Sequence, residues 1–217
     1  QFDYRLAAIG NSREELSASL QDFLREVHDP NSNRIPDRQP KLAFVFSGQG
    51  GQWYGMGREL LTQEPVFFKA IERIDQAVQA HFGWSLMDVL CAEGESLLDE
   101  IDVVQPAIFA IQVALVELWQ SYGITPDAVA GHSMGEVAAA HIAGVLNLED
   151  AVQVICRRSR ILKPLRGRGS MMATELSPDQ AAALLKDYDN DISIAVINSP
   201  TSTVLSGNRE TLKKVMH

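Results

Sequence analysis

Only two cysteines, Cys91 and Cys156, occur in 217 residues, and they stand too far apart in the chain for a chelating pair. That speaks against a disulfide framework or a cysteine metal site, and it fits a reducing compartment where both act as small hydrophobes. Basic residues are outnumbered, 19 against 28 acidic ones, for a formal net charge of −9. With no long run of either sign, the chain lacks the extended positive footprint that nucleic acid or anionic lipid requires. No stretch reaches the ~20 apolar residues of a membrane span, and the N-terminus lacks the basic-then-apolar build of a signal peptide. The expectation is a cytoplasmic protein that meets small molecules or other proteins, not nucleic acid and not a membrane.

What is present suffices for a core: 46% of the residues are hydrophobic. Phe2–Gly10 alternates as a strand does, and Ser12 with Glu15 has capping-box spacing ahead of a helical run. His28–Lys41 holds three prolines and reads as a linker, so a boundary is expected near residue 40. Leu42–Phe46 is a continuous apolar run, expected as a strand buried on both faces, and it ends in the glycine-rich Ser47–Gly57. Helices split by Pro65 follow. Another is expected from Pro106, with the proline in its first turn. Asp127–Ser133 reads as a strand, Gly135–Gly144 as a helix, and Leu148–Leu165 as a further helix. Strand–helix alternation of this kind predicts a parallel sheet covered on both faces. From Gly169 the order changes to β-α-β-β-α, a ferredoxin-like unit one strand short of closing, with Ser177 capping its first helix.

Chemistry concentrates at Gly131-His132-Ser133-Met134-Gly135. This is the G-x-S-x-G strand-to-helix turn that lifts a serine clear of a sheet. The serine's backbone is strained there, so its neighbours must lack the Cβ atoms that would strike the flanking strand and helix. The hydroxyl of Ser133 then lies at a helix N-terminus, where unpaired N–H groups favour developing negative charge. The N–H of Met134 is a natural oxyanion donor, and Ser133 the expected nucleophile.

GHSMGEVAAA, together with FSGQGGQWYGMG upstream and ICRRSR downstream, resembles the acyltransferase domains of polyketide and fatty acid synthases, of the malonyl-CoA:acyl carrier protein transacylase type. The resemblance covers the chain from about Lys41 onward. It implies an α/β-hydrolase-like parallel-sheet core over 41–169 and a small ferredoxin-like subdomain over 170–217, incomplete at the C-terminus. Residues 1–40 resemble the end of a linker that follows a ketosynthase. The implied reaction takes a malonyl-type extender unit from coenzyme A onto Ser133 and passes it to the phosphopantetheine thiol of an acyl carrier protein. Coenzyme A thioester is substrate, and no bound cofactor or metal is implied. The expected partners are the carrier protein, the adjacent ketosynthase and the remainder of the acyltransferase after His217.

Gln49 matches the family's loop glutamine, whose N–H completes the oxyanion hole with that of Met134, and the glycines around it allow close approach. A phosphate loop is the rival for this stretch, but no Gly-Lys-Ser/Thr follows. Arg158 matches the family's carboxylate clamp, since a planar guanidinium grips a carboxylate through two parallel hydrogen bonds. Arg157 and Arg160 are expected on the solvated surface. His132 matches the family's GHSxGE pattern and is counted, with Asn198, among substrate-binding residues. Alternation along an extended backbone turns the His132 side chain away from Ser133, so it is not the expected base. The Asn198 assignment competes with simple turn formation in Asn-Ser-Pro. The resemblance implies a base histidine roughly a hundred residues after the serine. The sequence ends 84 residues after Ser133, and His217 lacks the family's surrounding motif. This fragment alone is therefore expected to transfer slowly or not at all. Ile101–Ala107 resembles the methylmalonyl-selecting type while Met134 does not, leaving methylmalonyl slightly ahead of malonyl. The rivals are a serine esterase or thioesterase, and a catalytically incomplete fragment with a docking role.

Overall fold

The computed structural model describes residues 6–25, 40–92, 97–188 and 191–215. These gather into two compact units, one holding the described part of residues 1–43 with Pro126–Ala128, the other the rest. In the first unit, helix α1 (Arg13–Arg25) buries no residue. Ser12 Oγ accepts the Glu15 N–H at 3.1 Å, as the capping spacing predicts. The return arm differs: the Glu15 carboxylate accepts from Asn11 N–H, at 2.7 Å, one residue before the cap. Residues 6–10 form no strand, contrary to the alternation of Phe2–Gly10. A strand needs a neighbour for its N–H and C=O groups, and among the described residues these have none; Ile9 is 90% exposed. The rest of that stretch and residues 28–39 of the expected linker lie outside the described residues.

Strands β1 (Ala43–Phe46) and β2 (Ala128–Gly131) pair with each other. Ala128 N–H donates to Leu42 O and His132 N–H to Phe46 O, so both strands advance in the same sense, as a parallel pair. Of the parallel sheet expected with both faces covered, the described residues show the parallel pairing but not the cover. Among the described residues this sheet has two strands, and Val45 on β1 is 74% exposed. Apolar burial goes instead to helices packed on helices: α3 (Pro65–Phe82), α5 (Ile101–Ser121) and α7 (Leu148–Leu162) meet around Phe67, Ile71, Phe109, Val113, Val152 and Ile155. α5 is long and apolar enough to cross a membrane, but eleven of its residues are buried inside this fold as a core helix.

α5 also departs from expectation at its start. It begins at Ile101, and Pro106 lies inside it rather than in its first turn. The ring removes only the donor that would reach the carbonyl of Asp102, near the helix start, which limits the usual penalty. Short helices α2 (Arg58–Gln63) and α4 (Leu86–Cys91) flank α3, and α6 (Gly135–Ile142) follows β2. Beyond α7, β3 (Ser170–Thr174), α8 (Pro178–Leu185), β4 (Ile192–Ser199), β5 (Ser202–Gly207) and α9 (Arg209–Val215) follow in the order read from the sequence. They form an antiparallel sheet ordered β3-β5-β4 over a separate small core of Ala181, Leu185, Ile192, Leu205 and Leu212. Ser177 and Gln180 make a full capping box at the start of α8.

Candidate active site

β2 ends and α6 begins within three residues, and the turn between them is paid for in backbone strain at one residue. Ser133 has φ 55°, and among the described residues no other non-glycine has positive φ. The flanking glycines are explained by what a Cβ would meet. At Gly131 it would lie 2.4 Å from the backbone of Glu136 on α6, and at Gly135 2.2 Å from Phe46 O on β1. Both obstacles are main chain and cannot swing aside.

The helix start also supplies a free donor. The N–H groups of Gly135, Glu136 and Val137 are taken by the carbonyls of His132, Ser133 and Met134. Among the described residues the N–H of Met134 meets no acceptor, nor does that of Gln49. The loop bearing Gln49 lies against the elbow: a Cβ on Gly48 would sit 3.4 Å from Ser133 Cβ and 3.2 Å from His132 Nδ1. Two unengaged amides thus lie on the segments that meet at an exposed hydroxyl.

Across from them stands Arg158, on α7. Its Nη2 donates to Ser133 Oγ at 3.2 Å and its Nη1 to Gln105 Oε1 at 2.6 Å. Gln105 Nε2 donates in turn to Gln49 Oε1 at 3.2 Å. Ser133, Arg158 and Gln49, separated by up to 109 positions in sequence, are thus joined in one hydrogen-bonded group. Gln105 was given no role of its own from the sequence, although it lies in Ile101–Ala107, the stretch read for substrate preference. The available signal was a glutamine amid the apolar residues of α5, where it is 3% exposed. Gln112, seven residues on along the same helix face, donates to Ser47 O at 2.8 Å and braces the other end of the loop.

The remaining candidates take different places. His132 is exposed, and its backbone ties β1 to the elbow by donating to Phe46 O and accepting from Gly135. Asn198 lies on β4, where pairing with β5 shifts register between Ile197 and Ser199, and among the described residues no hydrogen bond joins it to the Ser133 group. Arg157 is exposed, while Arg160 stacks over the Phe82 ring at 4.5 Å and donates to Phe82 O. His141 points its Nδ1 at Leu146 O, which only accepts, so that nitrogen carries the proton and the ring is a structural tie. Burial pushes the Cys156 thiol up to about 12, with Arg160 acting weakly the other way, so this thiol stays protonated and is no rival nucleophile. Among the described residues no imidazole or carboxylate is hydrogen-bonded to Ser133 Oγ.

The acyl transferase domain family model matches residues 43–217. The polyketide synthase GfsE of Streptomyces halstedii is 43% identical over 99% of the chain, which spans 6% of that synthase. The acyltransferase domain from the second module of the salinomycin polyketide synthase superposes with a TM-score of 0.86 and 38% identity, covering 98% of this chain and 50% of that one. The malonyl-CoA:ACP transacylase of Synechocystis matches with a TM-score of 0.69 and 30% identity, covering 82% of this chain and 58% of that one. The strained serine, its free amides and the facing arginine therefore sit in a chain that belongs to the acyl transferase domain family, as an acyltransferase domain of the polyketide synthase kind.

Proposed function

We propose that the chain moves a malonyl-type extender unit, methylmalonyl or malonyl, from coenzyme A through an ester on Ser133 to the phosphopantetheine thiol of an acyl carrier protein. The observation that carries this reading is the 3.2 Å separation of Arg158 Nη2 from Ser133 Oγ. A guanidinium beside a nucleophilic hydroxyl has little use for a plain acyl chain. For a diacid it anchors the free carboxylate while the thioester carbon meets the serine. The Synechocystis relative is named for malonyl-CoA and a carrier protein, which supports the same assignment.

In this reading Ser133 Oγ attacks the thioester carbon and its proton passes to a base. The carbonyl oxygen turns negative against the N–H groups of Gln49 and Met134. The carbon–sulfur bond then breaks, and coenzyme A leaves as the thiol after taking up a proton. The carrier thiol attacks the ester in the same geometry, returning a proton to Ser133. Arg158 holds the carboxylate through both halves. A serine esterase would share the elbow but release free acid to water, and it has no need of the arginine.

The test is intact-mass analysis of the acyltransferase domain with malonyl-CoA, methylmalonyl-CoA and acetyl-CoA. A lasting adduct on Ser133, absent in Ser133→Ala and passed on to carrier protein, is the expected result. Rapid release of free malonate with no transfer would assign the esterase reading instead. Arg158→Ala is expected to cost the carboxylated substrates roughly a hundredfold or more while sparing acetyl-CoA, the loss typical of a charged hydrogen-bonded pair.

A further inference from the structure

We propose that Gln105 is a positioning residue whose side-chain amide sets the rotation of the Arg158 guanidinium and joins it to the oxyanion loop, making preference for a carboxylated acyl unit depend on both. The proposal builds on the reading of Arg158 as a carboxylate clamp. A guanidinium has donors only, so Gln105 must present its oxygen to Arg158, and its –NH2 is then committed to Gln49. The polarity of the chain from Arg158 through Gln105 to Gln49 is fixed in one direction. With Nη1 held at 2.6 Å, the opposite Nη2 is the nitrogen turned toward Ser133. An arginine has many rotamers, and holding one nitrogen in place lowers the entropy lost when a carboxylate arrives.

Gln105 is suited to this task by its setting. It is 3% exposed on the central helix α5, between Val104 and Pro106, both buried. Water does not compete for its amide there, and its backbone belongs to the most deeply packed element of the fold. It touches neither the substrate-facing nitrogen of Arg158 nor Ser133, so it acts through the clamp rather than on substrate.

The test measures binding of amide analogues of malonyl- and acetyl-coenzyme A, in which nitrogen replaces the thioester sulfur, by titration calorimetry on the chain. Gln105→Met keeps length and volume but removes both hydrogen bonds. It is expected to lower the malonyl-over-acetyl preference roughly tenfold with acetyl affinity unchanged, and to add nothing to the ratio in an Arg158→Ala background. Gln105→Glu keeps the shape while pairing the guanidinium internally. It carries the test if the methionine variant fails to fold, and it too must cost malonyl affinity alone. Unchanged preference in the folded variants, or an equal loss of both ligands, overturns the proposal while the clamp reading stands. Absence of any malonyl preference in the wild-type chain, or its survival in Arg158→Ala, overturns the clamp reading and the proposal with it.

Discussion

At the scale of single residues, the elbow shows how a motif encodes sterics. A methyl group at Gly135 would lie 2.2 Å from Phe46 O, and the atoms around it are all backbone. Gly135→Ala is therefore expected to cost about 3 kcal/mol in urea unfolding, the upper end for overpacking, and to abolish acylation. Gly144→Ala is the contrast. There φ is +77° but no atom lies within 4 Å of a new Cβ, so only the left-handed backbone is penalised, by about 1 kcal/mol. Ser133 and its glycines were legible because they sit in a short pattern with its own steric reason, whereas Arg158 was told from Arg157 and Arg160 only by the family resemblance. Gln105 falls within Ile101–Ala107, a stretch that was read, but its bonds to Gln49 and Arg158 were not legible, since those partners lie 56 and 53 residues away and helix periodicity says nothing of them. A buried thiol gives the residue-scale pH prediction. Cys156 is raised from 9.0 to about 12 by burial, so the folded state keeps its proton where the unfolded chain releases it. The stability this contributes is complete below pH 9 and is lost as pH climbs toward 12. Tyr122 and Lys163 are also raised, by hydrogen bonds to Glu64 and to Asp102, so their losses overlap that of the thiol and only the difference between wild type and a cysteine variant isolates it. Urea melts of Cys156→Ala should therefore decline less steeply than those of the wild type above pH 9. Iodoacetamide at neutral pH should label exposed Cys91 and leave Cys156 untouched.

At the scale of elements, caps decide where helices begin, and some caps come from far away. The start of α4 is held locally by Ser85, whose Oγ accepts from Asp88 N–H at 3.0 Å. It is also held by Asp75 of α3, 8% exposed, whose carboxylate accepts from Leu86 N–H at 2.6 Å, Met87 N–H at 3.2 Å and Gln79 Nε2 at 2.6 Å. Asp75→Ala leaves buried donors without acceptors and should cost about 3 kcal/mol in thermal or urea unfolding. Asp75→Asn, which keeps one acceptor, should cost less. Losses of similar size for Ser85→Ala and Asp75→Ala would mean that the long-range cap adds nothing beyond an ordinary one. The same distinction governs legibility. The Ser177 box spans four residues and is readable as written, whereas the Asp75 cap crosses eleven and is not. The start of α5 was misread because a proline is so often a first-turn residue. Here Glu100 and the apolar run from Ile101 begin the helix before the ring appears.

At the scale of the whole molecule, the strand–helix order was legible from residue 43 onward, but the layering was not. An apolar strand implies only that something covers it, and alternation cannot say whether helices will bury their faces on the sheet or on each other. In the described residues α3, α5 and α7 chose each other, and Val45 was left 74% exposed. The β3–β5 segment was read correctly in element order because each of its pieces is short and bounded by turn residues. Its independence comes from packing: Leu205, fully buried, pairs across from Met172 on β3 and Ile194 on β4, and its cluster shares no residue with the helical core. Two clusters that share no residue within one compact unit are expected to open separately. Leu205→Ala removes the centre of the smaller cluster, and leucine truncations of this kind cost about 3 kcal/mol, a hundredfold or more in an opening equilibrium. Amide hydrogen exchange should therefore quicken about a hundredfold across β3, β4 and β5 while amides of α3, α5 and α7 hold their protection. An equal rise in all of them would show that both clusters unfold as one body, and that the separation seen in their packing has no counterpart in energy.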